Sequence, residues 1–181
     1  MTDKVQTDDA PPTTSQHGGV DAKAVARAVT INRPADEVYA HFRDFARLPT
    51  FMENVVRIDV LDAMRSHWVV KAPGGNTVEW DARVTEDEPG KLIAWTAEEG
   101  ADVPNSGRVE FRDAGARGTV VTATIAYSPP GGAVGKLIAK MFQREPAIQA
   151  RRDLRRLKQL LETGEVATAA TTRAQHEKED T

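Results

Sequence analysis

The 181-residue chain has no cysteine, which excludes disulfides, thiol nucleophiles and every metal site built on thiolate. Aromatic residues are scarce: three Trp, two Tyr and five Phe make up 6% of the chain, so each is a marked position. No stretch approaches the roughly 20 apolar residues that a membrane-spanning helix needs. The first 20 residues are polar, with Pro11, Pro12 and the pair Asp8 and Asp9, and they lack the basic start and apolar core of a signal peptide. A cytoplasmic location is expected. Charge of one sign is also lacking, because the formal net charge is −3 and the acids gather at the ends. Asp3, Asp8, Asp9 and Asp21 face only Lys4 at the start, and Glu165, Glu177, Glu179 and Asp180 face only Arg173 and Lys178 at the close. The middle keeps a slight positive surplus, far from the concentrated basic face that nucleic acid demands, so no nucleic acid partner is expected.

With 40% hydrophobic residues, the chain can bury a core of ordinary size as one domain. Residues 1–22 and 165–181 have almost no large apolar side chains and are expected to be disordered tails. The folded domain is expected over 23–164. It opens on a β-compatible stretch at 24–31, where Val25, Ala28, Val29 and Ile31 supply apolar side chains. Pro34 then starts a helix, with Asp36 and Glu37 at its positive end and Val38, Phe42 and Phe45 on its apolar face. A second short helical stretch is expected at 45–52, interrupted by Pro49.

From there the period falls to two. Val56, Ile58 and Val60 alternate with polar neighbours, and a turn at 62–65 leads to a strand at 67–72. Pro73, Gly74, Gly75 and Asn76 form a hairpin turn. The clearest strand follows, with Val78, Trp80, Ala82 and Val84 on one face and Glu79, Asp81, Arg83 and Thr85 on the other, so one face is buried and one is wet. Further strands are expected at 92–96, around Gly107, Val109 and Phe111, and at 119–127, where Val121, Ala123, Ile125 and Tyr127 point inward. The rest is helical. Val134, Leu137, Ile138, Met141 and Phe142 form one apolar stripe, and Ala147, Ala150, Leu154, Leu157 and Leu161 form another, with a break at Pro146 and a cap at Gly164. Arg155, Arg156 and Lys158 suit the negative pole of that last helix.

These residues carry a resemblance. Ile31 to Ala35 with Val38 and Tyr39, Leu48 to Met52, Ser66-His67-Trp68, Val78 to Asp81, Ile93-Ala94-Trp95, Tyr127 to Gly132 and Leu154 to Lys158 together resemble the polyketide cyclase/dehydrase and coenzyme Q-binding branch of the START-like (SRPBCC) superfamily. The resemblance implies an α+β helix-grip fold (START/Bet v 1-like), a curved antiparallel sheet wrapped around a long C-terminal helix. It also implies an internal pocket for a hydrophobic molecule such as a lipid, quinone or polyketide, while a minority of such proteins catalyse ring closure or dehydration.

Sharper local readings weigh less. The segment from Gly131 to Lys136 sits where a phosphate loop would, but Pro130 replaces its first glycine and Leu137 its Ser or Thr, so a helix-starting turn is the better reading. Glu79 and Asp81 lie opposite Trp80 on the wet face, beside Arg83, which favours a solvated surface over acid/base work. His41 and His67 stand alone in the sequence, so no metal site is expected, and no cofactor is implied. Lys136, Lys140 and Arg144 flank the first apolar stripe, a pattern that fits transient membrane contact by residues 134–144. The ligand contacts expected are Phe51, Trp68, Trp80, Trp95, Phe111 and Tyr127, with Ile138, Met141 and Phe142 from the helical stripe. The function expected is binding of a small hydrophobic ligand. A polyketide aromatase/cyclase or dehydratase is the enzymatic alternative, and a protein-interaction module acting through the sheet surface is the third.

Overall fold

The computed structural model describes residues 23–128, 136 and 146–166. Strand β1 (Lys23–Ile31) is followed by helix α1 (Ala35–Arg43) and a 3-10 turn (Phe45–Thr50). A meander of six strands comes next: β2 (Val55–Val60), β3 (Arg65–Lys71), β4 (Thr77–Glu88), β5 (Leu92–Ala97), β6 (Asn105–Asp113) and β7 (Thr119–Tyr127). Helix α2 (Pro146–Thr163) comes last. The strands form one seven-stranded sheet in the order β1-β7-β6-β5-β4-β3-β2, with every neighbouring pair antiparallel. The sheet curls into a half-barrel with α2 against it, the helix-grip arrangement expected from the sequence.

Alternation decides most of this. Ile31, Ile93, Val109 and Val121 reach full burial on the concave face, and Val38, Leu48 and Leu157 meet them from α1, the 3-10 turn and α2. Two bulges break the period and re-aim side chains. In β2 the register shifts between Val55 and Arg57. Val55 and Ile58 therefore pack inward and Val56 stays 46% exposed, while Val60, in register with Ile58 but at the end of the strand, is 56% exposed. The expected alternation of Val56, Ile58 and Val60 is corrected at Val56, since the bulge adds a residue before Ile58. In β4 the shift falls between Val84 and Glu86. It brings Asp87 onto the core face opposite Ile93, where its carboxylate accepts hydrogen bonds from the Tyr39 hydroxyl and from Arg43 Nε. Burial pushes the Asp87 carboxyl up, but these two bonds outweigh it and hold the group below its ordinary value.

The helix ends also carry small corrections. Pro34 stands just outside α1, its backbone extended (φ −60°, ψ 148°). Its carbonyl accepts the N–H groups of Glu37 and Val38, both at 3.1 Å. Gly164 closes α2 at φ 79°, and its N–H donates to the Leu160 carbonyl at 2.9 Å. Two of the cations assigned to that pole act sideways instead. Lys158 Nζ donates to the Thr30 carbonyl at 2.6 Å and to Glu162 at 2.9 Å, and Arg156 pairs with Glu53 at 3.3 Å. Glu162 in turn accepts the Asn32 N–H at 2.7 Å, so α2 is tied to the end of β1.

Ile138, Met141 and Phe142, the segment 134–144 apart from Lys136, the turn at 129–132 and the tails 1–22 and 167–181 lie outside the described residues. Within 129–145 only Lys136 is described, helical and exposed. Among the described residues no helix is long and apolar enough to cross a membrane.

Candidate functional site

The concave face owes its character to three tryptophans on neighbouring strands. Trp68 and Trp80 are directly paired across β3 and β4, and their rings stack with centroids 6.2 Å apart and planes 9° from parallel. Trp68 is buried, and its Nε1 donates to Ser66 Oγ at 2.9 Å, so its polar edge is satisfied inside the wall. Trp95 on β5 lies opposite Gly107 on β6. A Cβ at Gly107 would fall 2.3 Å from the indole, so the glycine is what lets that ring lie across β6.

Helix α2 lies along β1 and leaves space over the aromatic strands. A cavity of about 170 Å³ is bounded by Trp68, Trp80, Trp95 and Tyr127 from the sheet, with Phe42, Phe45, Leu48 and Met52 from α1 and the 3-10 turn. A second cavity of about 140 Å³ reaches Phe51, Val25, Val109 and Leu154. Phe42, Met52, Trp95, Ile125, Tyr127, Gln149 and Asp153 line both, so the two are compartments of one hollow.

Five of the expected contacts thus meet there: Trp68 and Trp80 in the larger compartment, Phe51 in the smaller, Trp95 and Tyr127 in both. Phe111 does not line either compartment. It packs edge-on against Tyr39 and Phe42, with centroids 5.8 and 6.2 Å away, and so seats α1 on β6.

The residue that sequence reasoning missed is Asp153. It is 8% exposed, projects from α2 into the hollow, and its Oδ1 accepts from Gln149 Nε2 at 2.8 Å. Burial pushes its carboxyl up to about 7. The Gln149 amide, the Glu53 backbone N–H and the Arg156 charge favour the ionised form, and the Glu53 carboxylate opposes it. The signal was present, since Gln149, Asp153 and Leu157 stand four apart and share one helix face, but only apolar residues were sought on that stripe. Burial likewise pushes the Tyr127 hydroxyl above its ordinary value.

The histidines behave differently from each other. His41 faces Phe51, with ring centroids 6.2 Å apart, and its Nε2 is buried without a hydrogen-bond partner. Burial and then the Arg47 charge lower its pKa. His67, expected to stand alone, is partnered on the convex face. Its Nδ1 lies 2.7 Å from Asp81 and its Nε2 3.5 Å from Glu79, because the β3–β4 register sets His67 opposite Asp81. Asp81 therefore has the His67 imidazole at 2.7 Å and the Arg65 guanidinium at 3.9 Å as its neighbours in place of the expected Arg83. Among the described residues no group of three or more His, Asp or Glu could hold a metal ion.

Comparison with known proteins accords with this geometry. A Deinococcus radiodurans protein of known crystal structure is 44% identical, with 79% of this chain and 100% of that one covered and a TM-score of 0.64. The Zhui aromatase/cyclase of a Streptomyces species shares the fold at 16% identity, covering 81% of this chain and 99% of that one, with a TM-score of 0.64. An uncharacterized 17.2 kDa protein of Streptomyces lincolnensis is 31% identical over 87 residues, which span 48% of this chain and 57% of that protein. Residues 22–162 match the family described as polyketide cyclase / dehydrase and lipid transport, and the chain belongs to that family.

Proposed function

We propose that the protein binds a small, largely apolar molecule such as a lipid, quinone or polyketide in the hollow between sheet and α2, with the tryptophan wall as its main contact. The observation that carries this reading is the pair of connected compartments lined by Trp68, Trp80, Trp95 and Tyr127, an apolar concavity with few polar groups, as small-molecule sites are built. Family membership supports it. The test is titration with the fluorescent probe 1-aminoanthracene. Trp80→Ala should weaken binding by about tenfold, the scale of losing one aromatic contact surface, while circular dichroism shows the sheet intact. His67→Ala and Asp81→Asn, on the convex face, should leave affinity unchanged. Unaltered affinity in Trp80→Ala would place the guest elsewhere.

Asp153 favours a second reading. An acid that keeps its proton up to about pH 7 inside an apolar hollow is suited to general-acid work, which a cyclase or dehydratase would use. Turnover of an aromatic polyketide surrogate that is lost in Asp153→Asn, with binding retained, would favour catalysis over binding alone.

A further inference from the structure

We propose that the guest is uncharged and ends in a hydroxyl, and that Asp153 and Gln149 together grip that hydroxyl while rejecting molecules of the same shape that end in a carboxylate. The inference rests on the binding reading above and deepens it.

Position is the first argument. Asp153 lines both compartments, so a guest in either meets it, and at 8% exposure little water screens it. The second argument is the charge around it. Arg156, from the same helix and the cation whose charge reaches Asp153, is drawn to Glu53 in the loop before β2 at 3.3 Å, so it already has its own partner. Glu53 adds negative charge to the neighbourhood. Tyr127, facing from β7, stays neutral through this range because burial raises its pKa. Arg83 lines only the larger compartment, so a carboxylate placed against Asp153 would bring a second negative charge to an acidic spot in an apolar cavity, one of the costlier arrangements in a protein interior.

Chemistry supplies the third argument. With its carboxyl at about 7, Asp153 exists in both forms near neutrality. A carbonyl oxygen can only accept, so it pairs with the acid and opposes the carboxylate. A hydroxyl donates to the carboxylate and accepts from the acid, and so fits both forms. Gln149, whose Nε2 donates to Asp153 Oδ1 at 2.8 Å, keeps its carbonyl oxygen as a further acceptor for the same hydroxyl.

The experiment uses decan-1-ol, decanoate and decylamine as competitors against 1-aminoanthracene at pH 8, with wild type, Asp153→Asn and Asp153→Leu. Wild type should prefer the alcohol over the carboxylate. That preference should fall by about tenfold or more in both variants, the effect of one unit of charge interaction, mainly because decanoate binds more tightly. A preference unchanged in both variants would overturn the inference, since any apolar cavity favours an alcohol to some degree. Tighter binding of decylamine than of decan-1-ol by wild type would also overturn it, because the site would then be selecting a cation. Failure of wild type to bind 1-aminoanthracene at all would instead defeat the binding reading on which it rests.

Discussion

Asp153 also sets how the protein responds to pH. Its carboxyl is neutral in the fold up to about pH 7 but ionises near 4 once the chain is unfolded. Between those values the folded state holds a proton that the unfolded state has lost, so stability falls as pH rises from about 4 to 7 and then levels off. The full cost is on the order of 4 kcal/mol. Asp153→Asn removes it, so the variant should match wild type near pH 4 and exceed it by a few kcal/mol at pH 8. Urea denaturation of both proteins at the two pH values measures the difference, and parallel behaviour would mean that Asp153 is ionised in the fold. Trp80 was legible in the sequence because alternation assigns it to the buried face, and Trp68 and Trp95 because large aromatics in strand-like runs suit an apolar hollow. Asp153 was not, because its four-residue spacing to Leu157 becomes informative only when a polar residue on an apolar stripe is treated as meaningful. Phe111 shows the opposite limit: its inward direction was legible, but which filled or empty space it meets depends on where α1 docks.

Elements divide in the same manner. The strands and the start of α2 at Pro146 followed from period and from that proline, while the two bulges did not, because nothing in Val55–Arg57 or Val84–Glu86 marks an extra residue locally. Their effect is large. The shift in β4 carries Asp87 to Tyr39 and Arg43, and the shift in β2 leaves Val56 outside. For α2 the face is unambiguous. Leu157 is fully buried, and Leu157→Ala should cost about 2 to 5 kcal/mol by leaving a cavity. Arg156→Ala removes a partly exposed pair with Glu53, which is worth about 1 kcal/mol or less. Thermal melts of the two variants, read by circular dichroism, separate these costs. Equal small losses would mean that α2 turns a different face to the sheet.

For the molecule as a whole, a hollow of two compartments is a deficit in packing that a guest can fill. A guest bound only by the folded state adds about 2.7 kcal/mol of stability at one hundred times its dissociation constant, so 1-aminoanthracene should raise the melting temperature of wild type and raise that of Trp80→Ala less at equal concentration. An identical rise in both would separate stabilisation from the tryptophan wall. The general form of this container could be read from element order, but its internal volume could not, because that depends on how far the helix and sheet stand apart. The three tryptophans of the wall have an optical consequence. They are all the tryptophans in the chain, and each lines the hollow. Indole emission from this protein therefore has no background from elsewhere in the structure: its colour reports the polarity of the hollow, and its decay reports the nearly parallel Trp68 and Trp80 rings. Under the proposed binding, entry of a guest would be readable in a cuvette without a label.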